Sequence, residues 1–289
     1  MQQHGPTSHS FISQRLRLHY ADWGNAEAPP LILLHGGRDH ARSWDWVAEK
    51  LCEDWHVICP DLRGHGDSAW ASDGNYAMMP YVYDLAQLVH QLDLAPVNIV
   101  AHSLGGNIAL RYTGLYPENV AKLVAIEGLG PSPEVQAERD KTGQAQRLRD
   151  WIDEKRRVAG YQPKRYDSFD EALKRMHEAN SYLSEEQAHH LTAHAAIRNE
   201  DGSYGWKFDP HVHAWNQVDI AIGDLEALWK AIACPTLLVY GEDSWASNPE
   251  KDGRIEHFGT AEVRSFDRAG HWVHHDRFDD FVTMLKEFL

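Results

Sequence analysis

Short apolar runs recur along the chain, and each is bounded by residues that favour turns. They cover residues 31–34, 56–59, 97–100, 123–126 and 236–240. Uninterrupted apolar runs of this length are typical of strands buried on both faces of a parallel sheet. Between them lie helix-like stretches, such as residues 81–92 and 104–115, with apolar residues at three- and four-residue spacing. The alternation predicts an α/β fold with a mostly parallel central sheet flanked by helices.

The pattern changes between residues 131 and 230. Charged amphipathic stretches replace the apolar runs, a cluster of glycines and prolines opens the segment, and Pro235 precedes the next strand-like run. We therefore predict a mainly helical insertion at 131–230, with residues 204–210 as a turn or loop inside it. The core domain is then formed by residues 1–130 and 231–289.

One strand-to-helix junction has the composition of a nucleophile elbow. A buried-strand pattern leads into Ala101-His102-Ser103-Leu104-Gly105-Gly106, and a helix pattern follows. A serine on such a tight turn is presented at the top of the sheet, and small residues must flank it because the chain packs closely there. The first glycine of the G-x-S-x-G pattern is replaced by Ala101. Ser103 is the candidate nucleophile.

A histidine near the C-terminus is the candidate base. Ala269-Gly270-His271-Trp272 comes directly after the strand-like residues 263–266 and before the last amphipathic helix. This position distinguishes His271 among 19 histidines, because a loop at a strand end can bring its ring to the serine. We interpret His274 and His275 as helix-surface residues, and His102 is too close to the turn to act as the base.

The motifs HGG, DLRGHGDS, AHSLGG and GHW occur in an order and spacing that resembles the α/β-hydrolase superfamily. The resemblance extends from about residue 8 to residue 289, and it implies that the insertion at 131–230 is the cap domain that follows strand six. It also implies an oxyanion hole formed by the backbone N–H groups of Gly37 and Leu104. His35 is then structural, and the ionic groups of residues 61–68 brace their loop.

The nucleophile narrows the chemistry that the resemblance implies. Haloalkane dehalogenases and epoxide hydrolases have an aspartate at the elbow, whereas this chain has Ser103. We therefore expect a carboxylesterase-like serine hydrolase that acts on a small or medium ester through an acyl-enzyme. A lactonase, a thioesterase or a carbon–carbon bond hydrolase of the same fold remains open. So does a ligand-binding receptor that keeps a hydrolase-like pocket.

Two carboxylates are candidates for the acid that orients His271. In most of the family the acid lies three residues after a glycine that ends strand seven, but Gly241-Glu242-Asp243-Ser244 has a serine at that position. In a smaller group the acid has moved to the end of strand six, where this chain has Glu127. We favour Glu127, with Asp243 as the alternative.

Charge and composition restrict the partners. The formal net charge is −15 at pH 7, which opposes binding to the phosphates of nucleic acid. The N-terminus lacks a secretory signal pattern and no apolar run reaches the length of a membrane span, so we expect a cytoplasmic protein without a membrane partner. A small ester-like molecule is the expected partner, while the oligomeric state stays open.

No cofactor or metal is expected. His189, His190 and His194 cluster on a predicted helix and His211 and His213 form an H-x-H pair, but the sequence shows no strong carboxylate or cysteine companion beside either group. Arg38 is interpreted as part of a surface ion pair with Asp39 or another acid. Tryptophans of the insertion could line a pocket or hold the cap on the core, and we favour the second role; they are Trp151, Trp206, Trp215 and Trp229.

Overall fold

The computed structural model describes residues 5–214 and 219–289. An eight-stranded sheet forms its centre. Its strands are β1 (Thr7–Ser13), β2 (Leu16–Asp22), β3 (Pro30–Leu34), β4 (His56–Pro60), β5 (Val97–His102), β6 (Val120–Ile126), β9 (Thr236–Gly241) and β10 (Ala261–Phe266). Their order in the sheet is β1-β2-β4-β3-β5-β6-β9-β10. From β4 to β10 along this order, all neighbouring strands pair parallel. The β1–β2 and β2–β4 pairings are antiparallel. The predicted α/β-hydrolase architecture is confirmed.

Period-two alternation along the strands divides the core between the two faces of the sheet. Ile32 and Leu34 belong to one buried cluster, and Leu31 and Leu33 belong to another. The first cluster includes residues of α2 (Met78–Gln91), α3 (Leu104–Leu115) and α8 (Ile222–Ala231). The second includes residues of α1 (Asp45–Leu51), α10 (Val273–Asp276) and α11 (Phe278–Phe288). Helices therefore cover both faces, as a buried parallel sheet requires.

The segment between β6 and β9 is largely helical. It contains α4 (Pro133–Asp140), α5 (Gln144–Ala159), α6 (Phe169–Ala179), α7 (Glu185–Ala195) and α8, together with the antiparallel pair β7 (Ala196–Arg198) and β8 (Tyr204–Trp206). The prediction of a turn or loop over 204–210 missed β8, which is too short to show a period in the sequence. At the end of the segment, Leu225 and Trp229 of α8 pack into the cluster that covers the sheet. Two helices have only four residues each: α9 (Pro249–Asp252), which follows β9, and α10, which precedes α11.

Within residues 5–214 and 219–289, no helix is both long enough and apolar enough to cross a bilayer.

Candidate active site

Polar residues from separate strand ends meet at the carboxyl edge of the parallel sheet. Gly37 follows β3, Ser103 follows β5, Glu127 follows β6, Ser244 follows β9 and His271 follows β10. Because β3, β5, β6, β9 and β10 are consecutive neighbours in the sheet, their carboxyl ends open into one crevice. Ligands of open α/β sheets bind in this position.

Ser103 occupies a strained turn between β5 and α3. Its φ of 51° and ψ of −114° lie outside the helical and extended regions, and its N–H donates to the carbonyl of Ile126 at 2.8 Å. The start of α3 lies close to β3, since a Cβ added to Gly105 would stand 2.5 Å from the His35 carbonyl oxygen. The glycine thus permits the close approach that fixes the turn.

Glu127 is held in place by three donors. Its side chain is fully buried. Its Oε1 accepts the N–H of Gly241 at 2.9 Å, and its Oε2 accepts the hydroxyl of Ser244 at 2.7 Å and Nδ1 of His271. Like Ser103, Glu127 has a positive φ of 51°, so both side chains project from tight turns at the ends of adjacent strands.

Asp243, the alternative acid, lies in a different environment. Its side chain is exposed, and its Oδ2 accepts the hydroxyl of Tyr182 at 3.3 Å. Its backbone N–H donates to the carbonyl of Ala269 at 2.9 Å. Among the described residues, the structure brings Glu127 and not Asp243 into hydrogen-bond contact with His271.

Several contacts position His271. His102 Nε2 donates to the backbone carbonyl of His271 at 2.9 Å, and the Gly270 N–H donates to Asp276 at 2.8 Å. The ring of Trp245 lies 4.8 Å from that of His271. The imidazole keeps 22% of its side-chain surface exposed, so it is held at its backbone and at Nδ1 while one side remains open.

Sequence reasoning missed most of these supporting residues. Ser244 stands at the position where most of the family has the acid. A serine at that position was a signal in the sequence that the acid lies elsewhere. His102, Trp245 and Asp276 carry no comparable local signal, because their roles depend on which strand ends become neighbours. Burial raises the pKa of Asp276 to about 6, although the hydrogen bond from Gly270 opposes that rise.

The interpretation of His274 and His275 as surface residues was wrong. Both are buried in α10, where the His274 ring stacks on Trp44 at 4.4 Å and that of His275 meets Trp46 at 5.7 Å. Burial lowers the pKa of His275 to about 3, and it holds the pKa of His274 well below its usual range. A helix of only four residues is too short for its periodicity to indicate which face is covered.

The predicted oxyanion residues lie beside each other. A Cβ added to Gly37 would stand 3.8 Å from Leu104 Cδ2, and both residues line the same cavity as Ser103. Leu104 is the first residue of α3, whose first four N–H groups have no partner within the helix. The helix N-terminus also places partial positive charge at this end of the crevice.

His35 belongs to a buried group of hydrogen-bonded side chains, His19, His35 and Asp61, which is called the brace below. Its Nδ1 donates to the Gly36 carbonyl at 2.7 Å, and its Nε2 accepts the N–H of Leu62 at 2.9 Å. Burial lowers the pKa of His35 to about 4. Nearby, the Asp61 carboxylate accepts His19 Nδ1 and the N–H groups of Ala41 and Asp67.

The ion pair interpreted for Arg38 and Asp39 does not form. Asp39 is buried and its Oδ1 accepts the His40 N–H at 2.8 Å, while Oδ2 has no hydrogen-bond partner among the described residues. Burial raises the pKa of Asp39 to about 7. Arg38 lines the cavity, and no carboxylate in residues 5–214 or 219–289 forms a salt bridge with it.

A cavity of about 1010 Å³ contains Ser103 and His271 at its wall. The segment between β6 and β9 contributes Met176, Leu183, Ala195, Trp206 and Phe208 to the lining. Of the four tryptophans considered from the sequence, Trp206 lines the cavity, Trp229 stacks on Phe258 in the core, and Trp215 lies outside the described residues. The lining of this cavity does not include Trp151.

Comparison with known proteins agrees with this architecture. The sequence model of the alpha/beta hydrolase fold family matches residues 29–278. An esterase of Mycobacterium tuberculosis is 28% identical over 276 residues, which cover 92% of this chain and 84% of the esterase. A 3-hydroxybutyrate-oligomer hydrolase of Cupriavidus necator is 30% identical over 245 residues, or 79% of this chain and 77% of the relative.

A solved structure extends the likeness to nearly every residue. A thioesterase domain from the curacin biosynthetic pathway superposes with a TM-score of 0.85 at 20% identity, covering 98% of this chain and all of the domain. Because the family model matches most of the chain and the relatives include a named esterase, the chain belongs to the α/β-hydrolase family, in which it is an esterase-like enzyme.

Proposed function

We propose that Ser103, His271 and Glu127 form a catalytic triad that hydrolyses a small or medium carboxylic ester. The observation that carries the proposal is the contact of His271 Nδ1 with a buried carboxylate. A proton held at Nδ1 leaves Nε2 with a free lone pair, which is the tautomer that a general base requires. Nε2 is then the nitrogen that accepts the hydroxyl proton of Ser103.

The reaction proceeds in two halves. Ser103 Oγ attacks the ester carbonyl, its proton passes to His271 Nε2, and the N–H groups of Gly37 and Leu104 stabilise the oxyanion. The carbon–oxygen bond to the alcohol breaks as His271 returns the proton to the departing oxygen. Water then attacks the acyl-enzyme with His271 again as base, which releases the carboxylic acid and restores Ser103. No metal or organic cofactor takes part in these steps.

Glu127 contributes by orientation and charge. The N–H of Gly241 and the hydroxyl of Ser244 fix its carboxylate from the β9 side. That fixed carboxylate holds the imidazole in one tautomer and stabilises the imidazolium formed when Ser103 loses its proton. The exposed Asp243, with its contact to Tyr182, offers no equivalent support.

The substrate class rests on the cavity and on the relatives. A cavity of about 1010 Å³, whose lining combines apolar and aromatic side chains with charged ones such as Arg38 and Glu178, accommodates a ligand of small or medium size. Relatives named as an esterase and as a 3-hydroxybutyrate-oligomer hydrolase favour an oxygen ester over a thioester or a carbon–carbon bond. We further propose residues 131–230 as the cap that encloses this substrate, with α8 as the part anchored on the core.

A paired experiment tests the function. The purified protein is assayed against p-nitrophenyl esters of increasing acyl length, with lactones and thioesters in parallel, and it is labelled with a fluorophosphonate. We expect ester turnover and labelling in the wild type, and loss of both in Ser103→Ala. A wild type that neither turns over any ester nor takes the label would contradict the proposal and favour a ligand-binding receptor.

A further inference from the structure

A second cluster of histidine and carboxylate side chains lies where the predicted cap meets the core. His190 and His194 are four residues apart on α7, so they face the same side of that helix. Their ring centroids are 4.6 Å apart. Opposite them stands Asp45, the first residue of α1, which lies in the core domain.

The three side chains offer ligand atoms at short range. Nε2 of His190 lies 3.1 Å from Oδ2 of Asp45. One ligand atom from each of Asp45, His190 and His194 lies within 4.8 Å of the other two. The absence of a carboxylate companion was the reason to expect no metal at these histidines, and the fold supplies that carboxylate from 145 residues earlier in the chain.

We propose that Asp45, His190 and His194 bind a divalent transition-metal ion, with Zn²⁺ as the best match. Two imidazoles and one carboxylate suit zinc and its neighbours, whereas magnesium and calcium prefer oxygen ligands. A histidine pair at positions i and i+4 of a helix is a known zinc-binding arrangement. Three protein ligands leave a fourth tetrahedral position for water.

The observed spacing is close to that of a metal site. Zinc–nitrogen and zinc–oxygen bonds of about 2.1 Å place the ligand atoms of a tetrahedral site about 3.4 Å apart. The His190–Asp45 separation is already near that value. His194 has to approach the other two, and its half-exposed position at the end of α7 leaves room for that rotation.

Arg42 competes with the ion. Its guanidinium donates to both oxygens of Asp45 at 2.7–2.8 Å, so an incoming cation has to share or displace it. The Arg42 side chain is 31% exposed, and it can therefore turn towards solvent. This competition gives the proposal a signature, because removing the guanidinium must strengthen metal binding.

The ion would fasten α7 to α1. Two hydrogen bonds already link α7 to the residues just before α1. His40 Nε2 donates to the Leu191 carbonyl at 3.1 Å, and His190 Nε2 donates to the Arg42 carbonyl at 3.2 Å. An ion bound at His190 Nε2 replaces the hydrogen bond from that nitrogen to Arg42. Its coordinate bonds to Asp45 and to both histidines cross the same boundary, so they stabilise the docked position of α7.

The test measures metal binding directly. The chelator-treated protein is titrated with Zn²⁺ against a chromophoric chelator, and with Co²⁺ while the visible absorption of a tetrahedral site is recorded. We expect one tight equivalent per chain and a rise in the unfolding temperature with Zn²⁺. His194→Gln should weaken binding at least about 10-fold, because even partners outside the coordination sphere typically contribute about 10- to 100-fold.

Two variants serve as matched controls. His189→Gln makes the same change on the exposed face of the same helix and should leave Zn²⁺ binding unchanged. Arg42→Gln should tighten it. The proposal is overturned if the wild type shows no tight equivalent, if His194→Gln binds as the wild type does, or if His189→Gln loses as much affinity as His194→Gln. These readouts do not depend on ester turnover, so their failure is distinct from failure of the triad.

Discussion

The carboxyl edge of the sheet and the brace around His35 each place a histidine beside a buried carboxylate, and they differ in what the ring nitrogens of that histidine contact. At the sheet edge, His271 contacts Glu127 through Nδ1, and its ring is partly exposed at the cavity wall. In the brace, His35 lies close to Asp61, but both of its nitrogens bond to backbone groups and its side chain has no exposed surface. The same residue types thus support a base in one place and a scaffold in the other.

The comparison shows that a histidine can act as a general base only where one of its ring nitrogens remains accessible. A general base needs a nitrogen that can reach the substrate or nucleophile, and Nε2 of His35 is already occupied by the Leu62 N–H. Asp61 likewise has a structural role. Although burial alone would raise its pKa, the hydrogen bonds that it accepts and the nearby histidines hold its pKa below the usual range. Substitutions at the sheet edge should therefore change rates, whereas those in the brace should change stability.

The largest expected effect is at the nucleophile and base. Ser103→Ala and His271→Ala should each lower kcat on the order of 10³-fold or more, because each removes a member of a unit that acts together. Thermal unfolding of Ser103→Ala should stay near that of the wild type, since few packing contacts are lost with the hydroxyl. Ester kinetics and calorimetry on the same preparations measure both quantities. Activity within a few-fold of the wild type in either variant would reject the assignment.

The choice between the two acids comes next. Glu127→Gln should lower kcat by roughly 10²- to 10⁴-fold, because an amide can stabilise neither the imidazolium nor the required tautomer as a carboxylate does. Asp243→Asn, the isosteric control on the exposed side, should leave kcat within a few-fold. Steady-state kinetics of the pair decide the matter. The opposite ranking would make Asp243 the acid.

The brace supplies the contrasting case. Asp61→Asn leaves its size unchanged but removes the charge that His19 Nδ1 and two backbone N–H groups contact. We expect the free energy of unfolding to fall by about 3–5 kcal/mol, as when one partner of a buried pair is lost. Urea unfolding measures this loss, and kcat per folded molecule should stay within a few-fold. A large kcat loss at unchanged stability would erase the distinction between the two regions.

The smallest effect concerns Asp39, a buried carboxyl with one unpartnered oxygen. Its pKa is raised from 3.8 to about 7, so the folded protein binds a proton that the unfolded chain has released. Stability contributed by this group is therefore lost as pH rises from about 4 to 7. Asp39→Asn stays neutral, and relative to the wild type it should gain about 3 kcal/mol of stability between pH 5 and pH 8.

Urea unfolding at the two pH values checks this difference. The lowered pKa values of His35 and His65 affect the variant and the wild type alike, so they cancel in the comparison. An equal pH dependence in both proteins would contradict the raised pKa.

Much of the fold was predictable because it is written in local patterns. Buried parallel strands need continuous apolar runs, and the predicted runs coincide with β3, β4, β5, β6 and β9. The N-terminal hairpin was missed, because the first residues of β1 are polar and exposed and lack that signal. Ser103 and His271 were identifiable because an elbow and a loop behind a strand each have a short signature in sequence. Their catalytic roles stay predictions until the variants are measured.

The sequence by itself determined the faces and periods of the elements, and through them the strand ends from which polar side chains emerge. Which of those ends meet was decided by tertiary structure, because burying the apolar faces of the strands fixes their order in the sheet. That order brings Glu127 to His271 and leaves Asp243 beside Tyr182. The packing of α7 against the core brings Asp45 to His190, a proximity that no local pattern encodes, because contacts between distant segments follow from packing and not from spacing along the chain.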